Sequence, residues 1–138
     1  MPTISRFEEI ESWQLVRELT NLVYAFSRRE PFSRDFGLKD QICRASVSVM
    51  SNIAEGFESQ TQAQFIRYLG IAKASVAEVR SQLYVALDQN YISKEEFQTA
   101  FDIAYKTLRK IVSFIAYLQA HSYARRVSDG QVEYHIEH

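Results

Sequence analysis

Apolar positions recur three and four residues apart along most of this chain, a spacing that predicts long amphipathic helices. Over about residues 11 to 29, Leu15, Val16, Leu19, Leu22, Val23 and Phe26 make one stripe, and the run stops ahead of Pro31, which disfavours helix at the residue before it. A second helix is predicted over about 38 to 57. Its apolar residues Leu38, Ile42, Cys43, Ala45, Val47, Val49, Met50, Ile53, Ala54 and Phe57 cover more than half the circumference, while Asp40, Gln41, Arg44, Ser48, Ser51, Asn52 and Glu55 share one arc. Such a helix packs against more than one neighbour, and Gly56 is expected to end it in a left-handed cap. The third helix, about 62 to 89, opens with a Thr61-x-x-Gln64 capping box and turns Phe65, Tyr68, Leu69, Ala72, Val76, Val79, Leu83, Ala86 and Leu87 inward. The fourth, about 94 to 121, opens with a Ser93 to Glu96 capping box and an Ile92 to Phe97 staple. Its core stripe is expected at Phe97, Ala100, Phe101, Ala104, Leu108, Ile111, Val112, Ile115 and Leu118, leaving Ile103, Phe114 and Tyr117 on another side.

The short turn between the last two helices makes them antiparallel neighbours, so the fold class is all-α: an antiparallel up-and-down four-helix bundle over 1–121. The tail, 122–138, changes period. Asp129-Gly130 lies between alternating runs, the strongest short-range hairpin signal, and a two-residue turn there pairs Val127 with Val132, Arg126 with Glu133 and Tyr123 with Ile136. A lone hairpin is marginal in water, so this one is expected to lean on the bundle or on another subunit.

Composition narrows the function. With 138 residues, 46% of them hydrophobic, and only 4 Gly and 2 Pro, the chain suits one helical domain with a self-sufficient core. A net charge of −1 gives no general attraction to polyanions, but residues 61–126 hold nine Lys or Arg against five Asp or Glu, whereas 1–60 hold seven against nine. Arg67 and Lys73 on the third helix and Lys106, Arg109 and Lys110 on the fourth are the candidate nucleic-acid contacts. The single Cys43 has no intramolecular disulfide partner and reads as a small core hydrophobe. Arg6, Glu8, Glu9 and Glu11 stand where a signal peptide needs an apolar run, and no stretch approaches the ~20 apolar residues of a membrane span, so a cytoplasmic protein with no membrane contact is expected.

Chemistry is sparse. Glu-x-x-His pairs, a phosphate-binding glycine loop and a nucleophile elbow are all missing, and His121, His135 and His138 fall at or beyond the end of the fourth helix. No catalytic, cofactor-binding or metal-ligating set is assigned, and the protein is expected not to be an enzyme. The polar arc Gln41, Arg44, Ser48, Ser51, Asn52 and Glu55, closed by Gly56, is read as a structural seam with Arg44 on Asp40, Ser48 on Asn52 and Ser51 on Glu55. It is expected to extend from Arg44 or Glu55 to Glu78, Arg67 or Arg80 on the third helix or on a neighbouring subunit. On the third helix Gly70, Ala74, Ala77 and Ser81 form a stripe of small residues flanked by Ile66, Tyr84 and Val85, which is expected to meet another copy of the chain. Trp13 and Tyr24 lie off the first stripe and are read as packing against the connector; in a scaffold that binds a protein partner, they, Phe114 and the hairpin would be its contacts.

The run Gln41-Ile42-Cys43-Arg44-Ala45-Ser46-Val47-Ser48-Val49-Met50-Ser51-Asn52-Ile53-Ala54-Glu55-Gly56 resembles the signature of the 23S rRNA intervening-sequence proteins. A second block, Phe65 to Glu78 with Ser81, Leu83, Ala86, Tyr91 and Ile92, is similar too, as are Phe7 to Gln14 and Pro31 to Leu38, so the likeness spans roughly residues 7 to 120. The resemblance implies a four-helix bundle assembled as a ring, most often of five subunits, and a non-catalytic role beside RNA or DNA. It also extends to the accessory protein of diversity-generating retroelements, a basic pentamer that works with a reverse transcriptase. The alternative is an assembly scaffold that binds protein alone.

Overall fold

The computed structural model describes residues 3–121 in full and the backbone of 126–128 and 131–135. Four helices form the body: α1 Glu11–Arg28, α2 Phe36–Glu58, α3 Gln62–Asp88 and α4 Lys94–Ala120. Each buries a seam whose positions alternate between four- and three-residue steps: Ser12, Val16, Leu19, Val23 and Phe26 on α1; Ile42, Ser46, Val49, Ile53 and Gly56 on α2; Phe65, Leu69, Ala72, Val76, Val79, Leu83 and Ala86 on α3; Phe97, Ala100, Ala104, Thr107, Ile111, Phe114 and Leu118 on α4. A seven-residue period of that kind is what interlocking bundle helices need. The helices pack in cyclic order, α1 on α2, α2 on α3, α3 on α4 and α4 back on α1.

On α4 the buried stripe is displaced from the expected one. Ile103 and Phe114 are 8% and 7% exposed, while Val112, expected inside, is 43% exposed. The displacement turns on Thr107. Its hydroxyl donates to the Ile103 carbonyl at 2.8 Å, so a residue that reads as polar is fully buried with its donor satisfied. Thr20, Ser27 and Ser46 are buried by the same device.

The ends of the helices are fixed locally. Asp35 caps α2 by accepting from the Leu38 N–H at 3.1 Å, and its other oxygen accepts the Tyr91 hydroxyl at 2.9 Å. That bond raises the Tyr91 phenol above its ordinary pKa, and with Tyr91 stacked 5.0 Å from Phe32 it ties the α3–α4 turn to the α1–α2 connector. Gly56 does not cap α2. It is buried inside the helix, which runs on to Glu58, because α3 approaches it too closely for a side chain. Thr61 caps α3 as expected, although Gln64 returns its bond to the Gln60 N–H and not to Thr61. Asn90, at φ 60°, closes α3: the Tyr91 N–H reaches the Ala86 carbonyl and the Asn90 N–H the Leu87 carbonyl.

At the start of α4 the Ser93 to Glu96 capping box is complete, and Glu96 also accepts a two-pronged bond from Arg29 at 2.6 and 2.9 Å, joining the end of α1 to α4. Arg29 is the main reason the Glu96 carboxyl sits below its usual range. A depressed carboxylate contributes stability above its unfolded pKa, about 4.3, and loses that contribution as pH falls through the lower folded value. Glu96→Gln keeps a cap acceptor and removes the charge, so it is expected to cost about 0.5–1 kcal/mol at pH 7, as befits a partly exposed pair. Urea melts at pH 7 and pH 2 test this: the gap between variant and parent narrows in acid.

Three short strands complete the fold: β1 Thr3–Ile4, β2 Arg126–Ser128 and β3 Gln131–His135, in sheet order β1-β3-β2. β2 and β3 pair antiparallel with Arg126 opposite Glu133 and Val127 opposite Val132, the register expected from the sequence. The Asp129-Gly130 turn and the Tyr123–Ile136 pair lie outside the described residues. β1 pairs Thr3 with His135 and Ile4 with Tyr134, and Ile4 is buried in the common core, so the hairpin leans on the bundle through the N-terminal segment. Two residues are too few for that strand to show a periodicity. Among the described residues no helix is long and apolar enough to cross a membrane.

Candidate nucleic-acid interface

The five cations singled out on α3 and α4 do not share one face. Lys110 bonds Glu11 of α1 at 2.8 Å, and Lys106 lines the same α1–α4 groove with Gln14, Leu15 and Glu18. Carboxylates from α1 therefore offset the charge of both lysines. Arg109 turns instead toward Tyr105, with its guanidinium carbon 6.0 Å from the ring centroid. On α3, Arg67 lies 6.0 Å from the Tyr68 ring, and Lys73 is exposed.

The α3–α4 face gathers a residue not chosen as a contact from the sequence. Arg80 lies 5.1 Å from the Phe101 centroid and 5.8 Å from Tyr105, so Tyr105 shares its ring with two guanidiniums. Tyr84 extends the row, 4.9 Å from Phe97 and 5.4 Å from Phe101. Tyr84 and Tyr105 remain 50% and 46% exposed. Among the described residues neither Arg80 nor Arg109 forms an ion pair, and the Arg80 Nε is buried with no hydrogen-bond partner. The nearby acid on α4, Asp102, accepts from Gln98 at 2.8 Å. Sequence held a signal for this row in Lys73 and Arg80, seven residues apart, and in Phe101, Tyr105 and Arg109, each four apart, but it was invisible until α3 and α4 were set side by side.

The seam on α2 runs across to α3. Asn52 donates to both the Ser48 carbonyl, at 2.8 Å, and the Ser48 hydroxyl, at 3.1 Å; Ser48 pairs with Ser75 at 2.9 Å, and Gln82 donates to Gln41 at 3.5 Å. Arg44 takes Asp40 at 3.1 Å as expected. Ser51 and Glu55 are exposed and do not bond each other, and the expected links from Arg44 or Glu55 to Glu78, Arg67 or Arg80 are not formed within the chain. The facing residues Gln41, Arg44, Ser48, Ser75, Glu78 and Gln82 line a shallow polar cleft of about 290 Å³. Its hydroxyls and amides bond mainly to one another, which describes a helix-to-helix fastening.

The small-residue stripe is at the surface. Gly70, Ala74, Ala77 and Ser81 are exposed, and nothing lies within 4 Å of where a Gly70 Cβ would stand. Ile66 is half-buried against the core, and Tyr84 belongs to the aromatic row above. Trp13 packs edge-on against Phe7 at 5.2 Å, and Tyr24 is exposed beside Phe36 and Cys43. Phe114, buried against Phe65, is withdrawn as a partner contact.

A family model described as 23S rRNA-intervening sequence protein matches residues 8–113. Among solved structures, the chain is similar to a protein of unknown function from the S23 ribosomal protein family of Bacteroides thetaiotaomicron, with a TM-score of 0.70 and 23% identity, covering 76% of this chain and 95% of that one. A likeness at that identity speaks for the shared fold. No curated protein matches the chain.

Proposed function

This chain belongs to the 23S rRNA-intervening sequence protein family, and from that premise we propose that it is a non-catalytic RNA-associated accessory protein that assembles from several copies of itself. The observation that carries the proposal is the α3–α4 face, where Arg80 and Arg109 lie beside aromatic rings without carboxylate partners among the described residues and Lys73 stands on the same helix as Arg80. Among the described residues the ion-paired cations, Arg6, Arg29, Arg34, Arg44 and Lys110, lie elsewhere on the molecule, so the near-zero net charge of the chain does not cancel the local charge of Arg80 and Arg109. The non-catalytic part is supported by the α2–α3 cleft, whose serines bond each other and Asn52 instead of a general base. Self-assembly is supported by the exposed stripe Gly70, Ala74, Ala77 and Ser81 and by the apolar side chains Ile71 and Val85 on the same helix.

Fluorescence anisotropy with labelled RNA tests the proposal. If Lys73, Arg80 and Arg109 meet phosphates, log K falls with log salt at a slope of about −2 per chain for a single strand, and each cation neutralised to Gln removes about 0.7 from it. Absence of binding at low salt would overturn RNA association and leave the protein-only scaffold. Sedimentation velocity counts the copies; a monomer at high concentration would overturn self-assembly.

A further inference from the structure

We infer that the α3–α4 face is a single-strand site, where unpaired RNA bases stack on the planar groups of Tyr84, Tyr105, Arg80 and Arg109 while phosphates meet the guanidinium edges and Lys73. The inference rests on the RNA-associated reading above and deepens it by naming the form of RNA. The row sets planar groups side by side: the Tyr84 ring stands edge-on to Phe101 at 5.4 Å, the Arg80 guanidinium carbon lies 5.1 Å from the Phe101 centroid and 5.8 Å from that of Tyr105, and the Arg109 carbon lies 6.0 Å from Tyr105. A guanidinium laid on a ring keeps its N–H edge for a phosphate and its outer face for a base, and a half-exposed tyrosine offers a base the same flat surface.

Duplex RNA makes poor use of such a row. Its bases are stacked on each other, its major groove is too deep and narrow for side chains to read, and what it shows a protein is phosphates and 2′-hydroxyls. For a duplex the two arginines would serve as point charges, as two lysines would, and the tyrosines would contribute little. A single strand engages both kinds of group at once. The pairing of charge with flatness, on side chains that meet no carboxylate among the described residues, therefore favours unpaired bases.

The test compares a twelve-nucleotide single-stranded RNA with a hairpin duplex of matched charge, by anisotropy at fixed salt, on the full chain and on Tyr105→Leu and Arg109→Lys. Both sites are exposed, so folding is not at risk; melting curves check this, and sedimentation reports subunit number. The single strand is expected to bind at least tenfold tighter than the duplex, and Tyr105→Leu to weaken it about tenfold, in line with one lost stacking contact. Arg109→Lys, which keeps the charge and loses the plane, is expected to weaken the single strand severalfold and leave the duplex unchanged. Equal binding of strand and duplex, or wild-type behaviour of both variants, overturns stacking while RNA association stands. Failure of both RNAs to bind overturns both. If the variants alter subunit number and not RNA affinity, the face is a contact between copies and the inference falls.

Discussion

Gly56→Ala is expected to destabilise the protein by about 2 kcal/mol, although alanine is the better helix former by about 1 kcal/mol in an open helix. A Cβ at Gly56 would stand 2.9 Å from Phe65 Cδ1 and 2.9 Å from Tyr68 Cβ. The Phe65 ring is buried, and the Tyr68 Cβ is one bond from the α3 backbone, so neither yields without the two helices separating. Overpacking of that kind costs about 1–3 kcal/mol, enough to outweigh the propensity gain. For a domain of this size the melting temperature should fall by roughly 5–10 °C. Gly70→Ala supplies the control. Within a single chain it has nothing near its Cβ, so in the isolated chain the substitution should raise stability by about 1 kcal/mol. Thermal melts of the two variants at one protein concentration decide the matter. Equal shifts in the same direction would mean that α2 and α3 do not touch at Gly56.

The contrast between these glycines marks where the sequence is legible and where it is not. Both lie in helical runs, and one-dimensional rules offer only a cap or a tolerated break for Gly56. Its actual role depends on Phe65 and Tyr68, which enter from another helix. What could be read was local. Ser93 with Glu96, Thr61 with Gln64 and Pro31 with its neighbours fix the helix ends through short-range bonds and backbone limits, and these fell close to the predicted places. The hairpin register was legible for the same reason, since a two-residue turn dictates its cross-strand partners. The inward face of α4 was harder, because Thr107 breaks the apolar run while Val112 extends it on the wrong side. Burial there is decided by a hydroxyl that bonds its own helix, which hydropathy does not register.

The candidate interface was legible only as charge. Counting cations pointed to α3 and α4, but Lys106 and Lys110 proved to face the carboxylates of α1, and Arg80 took their place beside Arg109. Charge along a helix says little until its neighbours are known. A lysine opposite Glu11 and an arginine laid over Tyr105 are equivalent in the sequence and opposite in what they offer to a phosphate.

Phe65→Ala is expected to be the most damaging substitution, at about 4 kcal/mol. Phe65 is fully buried, with its ring 6.2 Å from Phe57 on α2 and 5.1 Å from Phe114 on α4, so one side chain links three helices. Its removal loses the transfer free energy of the ring and leaves a cavity that rigid helices close only in part. Against a total stability of about 5–15 kcal/mol, the loss brings the bundle near unfolding at body temperature. The urea midpoint should fall sharply with little change in slope, which is the mark of lost stability without a changed unfolded state. Phe36→Ala removes the same atoms from a position that is 77% exposed, and in an isolated chain it should shift stability by no more than about 0.5 kcal/mol. Measuring both variants across a hundredfold range of protein concentration separates core from contact. The Phe65 effect is expected at every concentration. A Phe36 effect that grows with concentration would place that ring between copies, and a Phe65→Ala loss below about 1 kcal/mol would contradict the three-helix packing described above.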